Sequence, residues 1–435
     1  MSSLRARNPR SPLAWWLFAA LWLVVLADVS GDYAVFAGSG VAGDAFKQLT
    51  QLVSTVLIGL LALLGSWALA RGKCAFRAAP ETKLFLVFLG ASTAFGVLVG
   101  LGSGVQINYV IGDSQNIVTY LILFAIGGGV SRSRIEALRR LFLIGCGILV
   151  LKLAYSYWVY WAVYGGLSWR SMLKLSSFFG PMMFVTLAWV LYGKRAAIRR
   201  RYAILALPAA YGIFAAQARG LFMGALAGAL FFGAMSLNHR RLYRVLLLGL
   251  VIMSIGLGAG AALQGDITKS FGYWEESDPT FVGGLDYRSR QAAALLTRFG
   301  NNWLTGVGLG SYDPNYEGYA DWLPRPYLAE LEYLNLLAKL GVIGFSLWIA
   351  AFFSLLVACI RAVRQTVDPE HRGLVTGLTA GLVALMVASS VQTLYSSVNF
   401  HLYVVLVLLV LSALRAPQLQ SRQAGRISGG HAPTM

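Results

Sequence analysis

Apolar runs of bilayer-spanning length alternate along the chain with short polar connections. Since roughly 17 to 25 apolar residues cross a bilayer as a helix, the pattern predicts about twelve transmembrane helices. Their centres lie near Trp22, Leu60, Ser92, Ile117, Leu149, Phe184, Leu207, Gly228, Ile252, Leu347, Leu382 and Leu406. Asp113, Gln115 and Asn116 interrupt the fourth run. One long polar stretch separates the ninth run from the tenth. The expected architecture is therefore an all-α polytopic membrane protein: spans one to nine over residues 1–263, a large loop with surface helices over 264–332, spans ten to twelve over 333–415, and a tail over 416–435. The tail is rich in Gln, Ser and Gly and is expected to be disordered.

Composition agrees with this reading. Of the 435 residues, 57% are hydrophobic and only 12% charged, whereas about a quarter of a soluble protein is charged. The net charge of +18 does not point to nucleic acid, because the cations fall in short clusters between apolar runs and form no basic stripe on a folded domain. About 25 of the 36 basic residues sit in alternate connections, among them Arg5, Lys73, Arg132, Lys194, Arg200, Arg240, Arg361 and Arg415. The positive-inside rule makes that side cytoplasmic. Both termini are then inside, and the long loop faces out. The first run, Leu13 to Ala27, has the basic leader of a signal peptide; cleavage is not expected, because it would remove the first inward anchor. Cys74, Cys146 and Cys359 lie on or beside different runs and suggest neither disulfides nor a metal cluster.

Candidate chemistry gathers in the outer loop. With the residues just upstream it holds Asp266, Glu275, Glu276, Asp278, Asp286, Asp313, Glu317, Asp321, Glu330 and Glu332, more than half of the 18 acids. Asp286 can cap a helix that runs through Tyr287 and Phe299 and stops at Gly300, and that helix is expected on the membrane surface. Next comes Trp303-Leu-Thr-Gly-Val-Gly-Leu-Gly310, whose alternating glycines let backbone pass close to a neighbour; no strand precedes them, so they form no nucleotide-binding loop. Tyr155, Trp158, Trp161 and their aromatic neighbours suit an interfacial belt, or a surface for stacking sugars. Lys152 lies deeper in the same run, where a charge marks a functional candidate unless it snorkels to an interface.

The order of these features resembles the O-antigen ligase and O-antigen polymerase family of bacterial membrane glycosyltransferases. Three blocks carry the resemblance: Gln217-Ala-Arg-Gly220 at the start of a span; Arg288 followed fifteen residues on by Trp303 to Tyr312; and Tyr333 to Gly344 leading into the span after the loop. The chain has Trp303 where the family usually has proline, and Lys339 where an acid is common. It has Glu330 and Leu331 where the ligases have histidine and asparagine. Of the four histidines, only His401 is placed to reach the outer face.

The resemblance implies transfer of a glycan from an undecaprenyl diphosphate carrier to a hydroxyl, on the periplasmic face of the inner membrane. The residues suit that chemistry. Arg219 and Arg288 can hold a diphosphate by two-pronged hydrogen bonds, and a carboxylate at Glu330 can serve as base. Glu332 is the alternative base; Arg290, Arg325, Tyr333 and Lys152 are further candidate substrate contacts. No cofactor is implied. No metal is expected at Glu275, Glu276 and Asp278, which lack a histidine or further ligand nearby. Expected partners are the lipid-linked glycan, a glycan or lipid A-core acceptor, and the bilayer. Glu330 in place of histidine favours polymerisation of lipid-linked repeats over ligation. A lipid-linked sugar transporter or flippase is the alternative of another class; it would gather its polar residues in broken helices at mid-membrane, where this sequence gathers them in the loop.

Overall fold

The computed structural model describes residues 11–27, 41–71, 79–126, 132–164, 178–215, 219–236, 283–312, 329, 331–390 and 397–428. The described residues are helical and contain no strand. The helices are α1 (Ser11–Ala27), α2 (Val41–Ala70), α3 (Pro80–Gly102), α4 (Ile107–Ser114), a 3₁₀ segment (Gln115–Tyr120), α5 (Leu121–Ile126), α6 (Arg132–Tyr164), α7 (Phe179–Tyr192), α8 (Ala196–Ala215), α9 (Arg219–Ser236), α10 (Gly283–Asn301), α11 (Glu332–Gln365), α12 (Pro369–Ala388) and α13 (Val398–Ser428). Among the described residues, five stretches are long and apolar enough to cross a membrane: Gln48–Ala70, Pro80–Gly102, Ile107–Ile126, Glu332–Gln365 and Pro369–Ala388. Every expected centre except Ile252 falls in one of these helices or in the 3₁₀ segment; Ile252 lies outside the described residues.

Two packing arrangements position the site. The first is the pair α3 and α11, which run antiparallel over most of their length. Glu81 pairs with Arg361 at one end, and the buried Ser92 hydroxyl donates to the Gly344 carbonyl at 2.8 Å towards the other. The second centres on α12, flanked by α7 and α9. Its row Gly373, Gly377, Gly381 lets other backbones approach closely: a Cβ at Gly377 would lie 2.8 Å from the Phe184 carbonyl oxygen. Small residues at four-residue spacing are how helices meet where lipid removes the hydrophobic drive to associate. The outward faces stay apolar, with Leu52, Leu63, Val87, Leu98 and Phe353 exposed, as lipid contact requires.

The fourth predicted span is broken where the sequence places its polar residues. α4 gives way to 3₁₀ geometry at Gln115, just after Ser114 turns its hydroxyl back onto the Val110 carbonyl at 2.7 Å. Short polar side chains compete with helix bonds in this way. α10 begins at Gly283, three residues before Asp286, so Asp286 sits in the first turn and is not the cap; an acid there suits the helix dipole. Leu295 of α10 is buried in a cluster with Ala329 and Ala338. At the other end of the chain, α13 continues past Ala416 to Ser428 through good helix formers such as Gln418, Gln420, Arg422 and Ala424, and stops before Gly429.

Candidate functional site

The glycine segment explains itself through its neighbours. Gly306, Gly308 and Gly310 have φ of 71°, 87° and 79°, and Gly341 inside α11 has φ 60°. These left-handed angles strain any residue with a Cβ. The break at Gly341 releases backbone groups of α11, and the segment supplies their partners. Val307 N–H donates to Ala338 O (3.1 Å) and Gly308 N–H to Lys339 O (2.8 Å), while Val342 and Ile343 N–H donate to Trp303 O (2.9 Å) and Leu304 O (3.2 Å). On the opposite side Leu309 N–H donates to Gly96 O of α3 at 2.9 Å. Residues 303–310 thus form a wedge between α3 and α11, bonded through its backbone to both helices, as irregular chain buried among apolar helices requires.

The tip of the wedge meets a buried ion pair. Lys339 Nζ lies 2.6 Å from Asp113 Oδ2, with the two side chains 1% and 8% exposed. The same carboxylate oxygen accepts the Gly310 N–H at 2.8 Å. Residues 113, 310 and 339, remote in sequence, therefore share one contact. Asp113 and Lys339 border a cavity of about 40 Å³, room for about two or three waters. Its wall includes Ser92, Asn116, Glu332, Asn335 and His401. Glu332 is only 1% exposed. Tyr120 hydroxyl and His401 Nδ1 are 2.9 Å apart.

The predicted site residues fall as follows. Glu330 and Arg325 lie outside the described residues. Arg219 is the first residue of α9, and Arg288 lies in the second turn of α10. Gln291 lies one turn beyond Arg288, and its side-chain oxygen accepts the Leu331 N–H at 3.0 Å. That bond holds the Arg288 turn of α10 against the backbone beside position 330. Tyr333 hydroxyl donates to the Met386 carbonyl at the end of α12, and a Cβ at Gly224 of α9 would meet Ala384 and Ala388 of that same helix end. Positions 219, 288 and 331–333 are thus at one end of the bundle. Arg290 is exposed on α10. Lys152 is buried on α6 and does not border the cavity.

Sequence reasoning passed over the cavity. Asp113 registered only as an interruption of a span and Lys339 only as a departure from an acid. The available signal was only that each is a charge in or beside an apolar run, a functional candidate by itself. Polar residues do not gather only in the loop, since the broken fourth span lines a polar cavity with Asp113, Ser114 and Asn116.

Comparison with known proteins adds one positive finding. Residues 204–349 match the family model of the O-antigen ligases. The match begins in α8 and ends within α11, so it contains Arg219, Arg288, the wedge, Glu332 and Lys339, while Asp113 and His401 lie outside it. No curated protein matches the chain.

Proposed function

We propose that this chain, whose residues 204–349 match the O-antigen ligase family model, polymerises lipid-linked glycan repeats on the periplasmic face of the inner membrane. In this reading the protein crosses the bilayer about twelve times with both termini in the cytoplasm. Arg219 and Arg288 hold the diphosphate of an undecaprenyl-linked glycan. The anomeric C–O bond to that diphosphate breaks, and the leaving group keeps the electron pair, its growing charge held by the guanidinium groups. A hydroxyl oxygen of a second carrier-linked repeat forms the new bond, and its proton passes to the Glu330 carboxylate. An unperturbed glutamate, with a pKa of about 4.3, is ionised at neutral pH and ready to accept it. The reading needs no metal.

The observation that carries the proposal is the bond from Leu331 N–H to Gln291. It keeps the helix of the diphosphate-binding arginine beside the start of α11, where the base belongs. Ligation to lipid A-core uses the same donor chemistry and differs in the acceptor; Glu330 in the place of the ligases' histidine favours polymerisation. The broken fourth span lends some support to a transporter, but the arginines and acids at one bundle end suit bond-making better.

Glu330→Gln keeps the side-chain shape and removes the base. In cells carrying it, a ladder gel of surface glycan is expected to show single unpolymerised repeats. An unchanged ladder would clear Glu330 of a catalytic role. Free polymer accumulating on the carrier without attachment to lipid A would make the protein a ligase.

A further inference from the structure

A buried pair of opposite charges inside a membrane bundle is a costly feature. Taking both ions out of water outweighs much of their attraction, and apolar side chains of similar size often pack there as well or better. The Asp113–Lys339 pair therefore invites a reason beyond cohesion, and its connections supply one. Asp113 binds Lys339 on α11 and Gly310 at the tip of the wedge. The next wedge residue, Ser311, is buried and its hydroxyl accepts from Arg298 NH2 at 3.0 Å while donating to Gly308 O at 2.6 Å. Arg298 lies on α10, two turns beyond Gln291 and three beyond Arg288. Gln291 is tied to Leu331 at the head of α11, and α11 leads back to Lys339. The contacts close a ring: Asp113, wedge, α10, α11, Asp113.

From this ring we infer that Asp113 and Lys339 are positioning residues for the glycan transfer, fixing the wedge and through it the placement of the α10 arginines relative to the start of α11. The inference rests on the proposed transferase reading for its functional consequence; the pinning itself does not. α10 is held at two points, by Gln291 near its middle and by Arg298 near its end. The second is only as firm as the wedge. The wedge is irregular chain, and the broken span meets its tip through the Asp113 carboxylate, with Tyr109 of α4 packed edge-on against Tyr312 just beyond. The device lies partly outside the family domain, since residue 113 precedes the matched region. It gives the broken fourth span a role: α4 ends at Ser114, so a carboxylate on its last turn can face the wedge.

The test removes both charges together, so that no lone ion is left buried. Asp113→Leu with Lys339→Met keeps the volume apolar and is expected to leave the melting temperature of the purified protein within a few degrees of the parent. Spin labels placed at Ala293→Cys on α10 and Ile107→Cys on α4, both exposed positions, report the separation of the two elements once the three native cysteines are replaced by alanine. The parent should give a narrow distance distribution and the double variant a broadened one. Turnover of lipid-linked repeats should fall roughly 10- to 100-fold, the scale of a misplacement near 1 Å. Ser311→Ala, which cuts the ring at another point by removing the acceptor of Arg298 while leaving the Asp113–Lys339 pair in place, should broaden the same distribution and lower turnover in the same sense. A parent-like distribution in both variants overturns the pinning, and a broadened distribution with parent turnover overturns the positioning role. If the parent protein transfers no glycan, the transferase reading fails, and the distance distribution still decides the pinning.

Discussion

Replacing Gly308 by alanine is the perturbation that the wedge should tolerate least. Gly308 has φ 87°, and a residue with a Cβ pays about 1–2 kcal/mol in that region. The added methyl would also fall on the backbone of Val99 and Gly100 in α3, which has no side-chain rotamer with which to move aside. Prising the wedge from α3 sacrifices the Leu309 N–H bond to Gly96 O, about 1 kcal/mol net, and overpacking of this kind adds about 1–3 kcal/mol. The sum is about 3–6 kcal/mol, concentrated where the site is assembled. Thermal unfolding of purified protein should show a melting temperature lower by several degrees, and the ladder gel should show loss of polymer. Gly59→Ala is the control: it lies within α2, a Cβ there meets nothing within 4 Å, and helix propensity favours alanine by about 0.5–1 kcal/mol. Parent-like melting and activity in Gly308→Ala would refute the close packing of wedge against α3.

Three further predictions test other parts of the account. Arg219→Ala or Arg288→Ala should abolish transfer while the protein remains in the membrane, with lysine rescuing poorly because a point charge loses the two-pronged geometry; full activity in both alanine variants removes the diphosphate clamp. Cysteines introduced at Tyr273 and Tyr316 should be labelled from outside intact cells and one at Arg200 should not; the reverse pattern inverts the topology. Asp368 caps α12 through the Glu370 N–H and pairs with Lys194 at 3.1 Å. Partial burial pushes its pKa up, but the bonds from Lys194 and Glu370 together with His371 outweigh that and hold it below the usual carboxylate value. Its contribution is thus fully present above about pH 3.9 and is lost as pH falls through the depressed value. Asp368→Ala should cost about 1 kcal/mol at neutral pH, and that difference in unfolding should vanish in acid.

Much of the frame was legible because its signals are local. Apolar runs gave helices at their centres, and the break in the fourth span fell beside Asp113, Gln115 and Asn116, where polar side chains compete with the backbone. The alternating glycines announced a close approach, but the neighbours they approach, Gly100, Val110 and Lys339, are set by tertiary packing. The same limit hid the ion pair, since residues 113 and 339 are 226 positions apart and a single sequence carries no sign of which distant charges meet. His401 looked like a histidine within reach of the outer face; it is buried beside Tyr120. Glu332, read from the sequence as the alternative base to Glu330, is buried and lines the cavity.

The most direct measurement of the central claim uses purified protein reconstituted in vesicles with an undecaprenyl-diphosphate-linked repeat on the face that carries α10. The account predicts carrier-linked oligomers of two or more repeats, with free undecaprenyl diphosphate released for each bond formed. It further predicts that Arg288→Ala makes neither product. Appearance of the intact donor on the opposite leaflet, with no new glycosidic bond and no released diphosphate, would contradict the account and identify a transporter.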